Sequence, residues 1–213
     1  MNANAPFVPF GSVPYDTSFW EGCGVNKKDF ILTYYFMNQK YERVVKTWRE
    51  VQEIYLPIRS FLHRDKSKHT LLDPTLTWNS VKMWFYEGKL HSELGPALFY
   101  NNNKMKWLKH DKLHREDGPA LINNNLSQWW INGGKHREYD RPAVIYRNKY
   151  MEWWRNGKRH RTRGPAVACS NRYSEWWIKG NKLDTNEVIP WLKENNINLT
   201  KTDDEKLFEE HFE

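Results

Sequence analysis

The chain has 213 residues, 33 basic against 26 acidic side chains and a net charge of +7; 15% of its residues are aromatic, including 12 tryptophans. This aromatic content excludes a disordered tail protein, because such chains bury too little apolar surface to fold. Two distant cysteines, Cys23 and Cys169, exclude a disulfide framework or a zinc cluster and indicate a reducing compartment, so we do not expect a secreted protein.

Residues 1–60 are predicted to form an arm followed by a helix. The first 20 residues hold three prolines among aromatic residues, and they lack the basic and apolar stretches of a secretion signal. We expect an extended arm that packs on its own repeats or straps onto a neighbouring subunit. Its aromatic anchors are candidate partner-binding residues: Phe7, Phe10, Tyr15 and Trp20.

A helix is predicted between Asn38 and Ile54, where apolar residues recur at helical spacing, with Pro57 as a stop. We expect this helix to cover the first repeat, as the ends of repeat arrays require. The apolar runs of the chain are shorter than the roughly 20 residues of a membrane helix, so no transmembrane segment is predicted.

Residues 61–183 contain a tandem repeat of about five to six units. Tryptophans recur every 22 to 24 residues, a histidine follows each of the first four after seven residues, and prolines recur every 23 residues. The unit reads W-x-x-N/E-G-K-x-H-R-x-D-G-P-A. We interpret the recurring residues as structural: Trp84, Trp107, Trp129, Trp153, Trp176, His91, His114, His136, His160, Pro96, Pro119, Pro142 and Pro165.

Each unit is predicted to form about two short strands. Its apolar residues come in short runs, residues 147–149 resemble a hairpin loop, and the Asn-Gly pairs at 132–133 and 156–157 suit the positive φ angles of tight turns. Each unit must then bury its apolar surface against its neighbours. The predicted fold class is mainly β: a sheet of stacked antiparallel β-hairpin repeats with helical N- and C-terminal caps.

The repeat resembles the MORN-like repeats found in proteins of large DNA viruses and large phages. The best match is WLKHDKLHREDGPA, from Trp107 to Ala120. The resemblance implies stacked hairpins used as a scaffold or docking surface, without catalytic residues. Together with the aromatic arm and the segregated charge, it favours a structural protein of the virion. A viral factor in the host-cell cytoplasm that binds a host protein is the alternative. MORN repeats in other settings are associated with membrane lipids and with dimerisation.

The residue that comes directly after each repeat tryptophan is also apolar, and we call these residues the second column: Phe85, Leu108, Trp130, Trp154 and Trp177. Because successive strand residues point to opposite faces, either both faces are covered or one aromatic stripe is open for a partner. Interleaved basic residues leave a solvated edge, a protein partner, nucleic acid and anionic lipid as alternatives. Candidate partner-binding residues in the repeats are Trp130, Trp154, Trp177, Arg155, Arg159, Arg161 and Arg163.

The repeated histidines do not predict a metal or catalytic site. In a stack with two strands per unit, equivalent histidines would lie roughly 9–10 Å apart, too far to share one ion. A pair such as His114 and Asp117 recurs along the array, whereas catalysis needs one asymmetric constellation. We therefore expect no enzymatic activity, no cofactor and no metal.

Residues 184–213 predict an acidic helical segment. A short helix is expected at 186–196, and Thr202-Asp-Asp-Glu205 resembles a capping box that opens a second helix. The segment carries a net charge of −6 against +10 for residues 84–183, so it can close on its own repeats or on another copy. The predicted apolar side of the first helix comprises Val188, Ile189, Trp191 and Leu192.

Overall fold

The computed structural model describes residues 30–36, 39–45, 49–51, 53–54, 74–78, 80–100, 104–147, 149–170 and 173–213. The described chain is mainly β, which confirms the predicted class, and 13 strands form one antiparallel sheet. Two compact parts are distinguished, Met1–Leu98 and Phe99–Glu213. The predicted arm anchors Phe7, Phe10, Tyr15 and Trp20 lie outside the described residues.

In the N-terminal part, β1 (Phe30–Phe36) pairs with both β2 (Gln39–Val45) and β3 (Leu76–Trp78), and β3 pairs with β4 (Val81–Met83). Leu32, Leu76 and Met83 are buried on these strands. The strands are β1 (Phe30–Phe36), β2 (Gln39–Val45), β3 (Leu76–Trp78), β4 (Val81–Met83), β5 (Phe85–Tyr86) and β6 (Lys89–Leu90).

The helix predicted for residues 38–54 is wrong over its first half. Gln39–Val45 forms β2, which pairs with β1 along seven residues. Among the residues of this stretch that the structure describes, those at 49–51 and 53–54 are helical. The aromatic and β-branched residues of both segments fit a pleated sheet, and pairing with the preceding strand overrides the helical spacing of the apolar residues.

The strands that follow are short and regularly repeated. They are β7 (Leu98–Phe99), β8 (Met105–Lys106), β9 (Leu108–Lys109), β10 (Lys112–Leu113), β11 (Leu121–Asn123), β12 (Leu126–Gln128), β13 (Trp130–Ile131), β14 (Gly134–Lys135), β15 (Val144–Tyr146), β16 (Met151–Glu152), β17 (Trp154–Arg155), β18 (Lys158–Arg159), β19 (Val167–Ala168), β20 (Ser174–Ile178) and β21 (Asn181–Leu183). The strand order in the large sheet is β2-β1-β3-β4-β7-β8-β11-β12-β15-β16-β19-β20-β21.

A complete repeat contributes four short strands rather than the predicted two. In the third repeat, β11 and β12 pair within the large sheet, and β13 and β14 then form a separate two-stranded hairpin. Trp129 lies between β12 and β13. Its N–H donates to the Ala143 carbonyl (2.8 Å), and its carbonyl accepts from the His136 N–H (3.1 Å). The repeat tryptophan therefore joins the sheet to the hairpin.

Neighbouring hairpins are hydrogen-bonded to each other through their turns. The Gly133 N–H donates to the Leu113 carbonyl, and the Gly157 N–H donates to the Lys135 carbonyl, both at 2.9 Å. Asn132 (φ 50°) and Gly133 (φ 85°) adopt the positive φ angles that the sequence predicted for a tight turn. Each hairpin is thus held by the turn of the following one.

Two helices, α1 (Thr185–Glu194) and α2 (Thr202–Phe212), follow the last strand. Asp184 caps α1 by accepting from the Asn186 N–H at 2.8 Å. The predicted capping box of α2 is wrong, because Lys201 occupies the cap position without a side-chain hydrogen bond. The carboxylate of Asp204 instead fixes the preceding loop, accepting from the Asn198 N–H at 2.8 Å.

The helices pack on the last strands around a cluster of Trp176, Ile178, Val188 and Phe208. Ile189 departs from its predicted place on the apolar side of α1, since it is exposed. None of the helices in the described ranges combines the length and apolar character needed to cross a membrane.

The acidic C-terminal segment closes on its own repeats, one of the two arrangements left open by its charge. Arg163 pairs with Glu205 at 2.7 Å. Lys179 pairs with Glu209 at 3.5 Å and also with Glu213. These ion pairs join α2 to the loop and hairpin turn of the neighbouring repeats.

Candidate interaction surface

A guanidinium group covers the repeat tryptophan in three successive repeats. The distances to the ring centroid are 4.0 Å for Arg115 over Trp107, 3.6 Å for Arg137 over Trp129 and 3.9 Å for Arg161 over Trp153. Each arginine also donates through Nη1 to the carbonyl of the repeat proline: Pro119 (3.3 Å), Pro142 (3.0 Å) and Pro165 (3.2 Å). The arginine thereby links two recurring residues of its repeat through a cation–π contact and a hydrogen bond.

The repeat histidines connect each repeat to the next. Nδ1 accepts a backbone N–H from the following hairpin turn: Asn132 to His114 (3.1 Å), Asn156 to His136 (3.1 Å) and Lys179 to His160 (3.2 Å). Burial is the largest cause and lowers the pKa of His160; the charges of Glu209 and Glu205 oppose this shift, and those of Arg155 and Lys179 add to it. This position therefore favours the neutral ring, which alone has an acceptor nitrogen.

The second tryptophan column is half-buried, with its indole N–H groups bonded within the chain. Trp130 donates to Gln128 (3.0 Å), Trp154 to Glu152 (2.5 Å) and Trp177 to Glu175 (3.0 Å). Cations cover the rings: Lys135 lies 4.4 Å from the Trp154 centroid, and Arg159 lies 5.1 Å from the Trp177 centroid. The chain's own basic residues thus cover part of the predicted aromatic stripe.

Buried acids neutralise several of these cations. Glu152 and Glu175 are both buried, and Arg159 lies 3.3 Å from the first and 3.9 Å from the second. Burial opposes ionisation of Glu175, but hydrogen bonds from Lys182, Tyr173 and Trp177 together outweigh it and lower its pKa to about 2. Burial, reinforced by a hydrogen bond to Glu152, raises the pKa of Tyr150 to about 12.

The four arginines predicted to bind a partner have different surroundings. Arg159 is half-buried between the two acids, Arg161 pairs with Asp140 at 2.7 Å, and Arg163 pairs with Glu205. Arg155 is exposed and has no ion pair among the described residues. The sequence therefore predicted the basic character of this surface, but most of its charge is engaged within the chain.

The loop of the third repeat departs from the pattern. Six residue steps separate His136 from Pro142, whereas five separate the histidine from the proline in the other repeats. Tyr139 (φ 62°) and Asp140 (φ 51°) both adopt the left-handed conformation, which aspartate tolerates better than a bulky residue such as tyrosine, and Tyr139 is 83% exposed. Sequence reasoning missed this loop, although the longer interval was a signal that could have revealed it.

Two grooves flank the irregular loop. One, of about 350 Å³, lies between the third- and fourth-repeat loops and α2; its lining includes Arg137, Arg141, Arg161 and Glu205. The other, of about 360 Å³, lies between the second- and third-repeat loops; its lining includes Arg115, Asp117, Arg137 and Arg141. Both grooves place arginines beside aromatic rings, a combination enriched at protein interfaces.

Comparison with known proteins gives no family assignment: no family model, curated protein or solved structure matches the chain. Within the described ranges, no three His, Cys, Asp or Glu side chains lie close enough together to hold a metal ion.

Proposed function

We propose that the protein is a non-enzymatic scaffold that docks onto other proteins through its repeat array. The observation that carries this proposal is the use of recurring polar side chains to hold neighbouring repeats together, as when His136 accepts from Asn156. Interlocked repeats present loops and hairpin turns at regular intervals, which suits a rigid docking surface. The resemblance to repeats of large DNA viruses and phages motivates a virion or capsid-associated location, or one in the cytoplasm of the infected cell.

Cross-linking mass spectrometry on the native source material tests the scaffold proposal. We expect cross-links from exposed lysines beside the hairpin turns, such as Lys109 and Lys158, to reproducible sites on one or a few other proteins. Cross-links confined to the chain itself would contradict a docking function. Proteomics of purified particles tests the virion location separately, since absence from the particles removes it without affecting the scaffold.

A nucleic-acid or anionic-lipid binding module is the second candidate. It is favoured by Arg155 and Lys158, which are exposed on either side of one hairpin turn without an ion-pair partner among the described residues. Binding of this kind weakens steeply with salt, because phosphate contacts release counterions. Replacing both residues by alanine is expected to weaken retention in gel-shift or liposome assays, and salt-insensitive binding would contradict this candidate.

A further inference from the structure

Three equivalent arginines stack on a repeat tryptophan, but only two of them have a carboxylate partner. Arg115 donates through Nε to Asp117 at 2.8 Å. Arg161 forms a bidentate ion pair with Asp140: Nε donates to Oδ1 at 2.7 Å, and Nη2 donates to Oδ2 at 2.9 Å. Arg137 has no carboxylate partner in the described part of the chain; its hydrogen bond goes to the Pro142 carbonyl.

The sequence explains why the middle arginine lacks this partner. Two residues after Arg115 stands Asp117, whereas two residues after Arg137 stands Tyr139. The carboxylate of Asp140 is taken by Arg161 of the next repeat, whose own loop carries Arg163 at the aspartate position. The longer loop and the tyrosine at position 139 therefore leave Arg137 without the carboxylate that its two equivalents have.

The charge around Arg137 increases the imbalance. Arg137 is half-buried, and burial, followed by the like charge of Arg141, lowers its pKa. The acids lining the groove between the second and third loops have other partners: Asp117 forms an ion pair with Arg115 (2.8 Å), and Glu116 and Glu138 face Nε2 of His114 (3.5 Å) and of His136 (2.9 Å). A partly desolvated guanidinium next to a second one favours an external anion.

We infer that Arg137 and Arg141 receive a carboxylate side chain from an acidic segment of a partner protein, with Tyr139 as the aromatic contact beside it. This inference rests on the proposed docking function and specifies the chemistry of the partner. The planar guanidinium group can donate two parallel hydrogen bonds to the two oxygens of a carboxylate, in bidentate geometry. Tyr139 is largely exposed, and Arg141 lies 5.4 Å from its ring centroid, so aromatic and cationic groups occupy one spot, as at interface hot spots.

Fluorescence anisotropy with the full chain tests the inference. The probes are fluorescein-labelled hexaglutamate and, as a neutral match, hexaglutamine. Arg141→Gly restores the glycine of the other repeats, and Tyr139→Asp supplies the missing carboxylate within the chain while suiting a left-handed φ angle. We expect each variant to bind hexaglutamate about tenfold more weakly, the loss of one charged hydrogen-bonded contact. Tyr139→Asp is also expected to raise the melting temperature.

Lys109→Gln is the control, because it removes one exposed positive charge outside both grooves. It is expected to change the affinity less than about twofold, as a screened surface charge should. The inference is overturned if wild type does not prefer hexaglutamate to hexaglutamine, if Tyr139→Asp binds like wild type, or if Lys109→Gln weakens binding equally. It is also overturned if labelled single-stranded DNA binds more tightly than hexaglutamate and Arg141→Gly weakens that binding.

The native partner separates this inference from the proposed function. If cross-linking identifies a protein partner that Arg141→Gly and Tyr139→Asp still bind at wild-type affinity, the carboxylate site is wrong and the scaffold proposal stands. If no partner is cross-linked while hexaglutamate binding follows the expected pattern, the anion site stands and the docking proposal fails.

Discussion

The repeat tryptophans are covered in two different ways. Trp176, in the last repeat, is buried against α1 and α2, with the Phe208 ring at a centroid distance of 5.6 Å. Trp129, in the middle of the array, is half-buried under the Arg137 guanidinium at 3.6 Å. The helices cover the tryptophan of the last repeat with an apolar cluster. In the inner repeat the Arg137 guanidinium covers the tryptophan and also donates a hydrogen bond to the Pro142 carbonyl of the same repeat. We therefore expect large stability effects at the helical end and small ones within the array.

The largest effect is expected for Phe208→Ala. Phe208 is fully buried, so truncation leaves a cavity against Trp176 and should lower the free energy of unfolding by about 3–5 kcal/mol. Urea denaturation measures the loss. Leu207→Ala, at an exposed position of the same helix, should cost less than about 1 kcal/mol, and equal losses would show that the cluster does not close the array.

A smaller effect is expected for Glu175→Gln, at the point where the array meets the last strands. Tyr173, Trp177 and Lys182 all donate to this carboxylate, and the amide NH₂ of glutamine cannot accept from them. We expect a loss of about 1–3 kcal/mol in urea denaturation. The exposed Glu210→Gln serves as the control, and similar stability of the two variants would contradict a structural role for the buried acid.

Within the array, His136→Ala should cost about 1 kcal/mol, the value of one lost hydrogen bond from the Asn156 N–H. His136→Asn places an amide oxygen near the Nδ1 position and should recover part of the loss. Thermal or urea unfolding measures both variants. If asparagine is as destabilising as alanine, the histidine acts through packing rather than as a hydrogen-bond acceptor.

The smallest expected effect is a pH dependence from His160. Its pKa is below the ordinary value of about 6.5, so its contribution to stability is complete above that pH and is lost as the pH falls, because the unfolded chain takes up the proton first. Urea denaturation between pH 7.5 and 5 should show a steeper decline for wild type than for His160→Asn. Parallel declines would assign the pH dependence to other groups.

The fold was predictable where local sequence controls the backbone. The Asn-Gly turn at Asn132 and Gly133 and the short strands around Ile145 follow from residue type and periodicity. The four-strand repeat was missed because strands of two residues, such as β13, are too short to produce an alternation pattern. The helix predicted at 38–54 failed for a different reason: β2 exists through pairing with β1, which spacing within one segment does not reveal.

The candidate site was predicted only in its composition. The sequence identified the basic and aromatic residues around Trp153 and Trp154, but it did not show that Glu152 and Asp140 neutralise Arg159 and Arg161. These partners depend on side-chain positions that the repeat pattern leaves open. Arg137 differs from its two equivalents only in the side chains around it, which the repeat pattern does not specify.

By itself the sequence determined the mainly β character, the spacing of the repeat tryptophans and the positions of the tight turns, because these depend on residue type and on intervals along one chain. Only the tertiary structure decided which polar groups meet. His136 accepts from Asn156, 20 residues away, and Asp140 pairs with Arg161, 21 residues away. Hydrogen bonds and ion pairs act over a few ångströms, so the stacking of repeats determines which side chains form them.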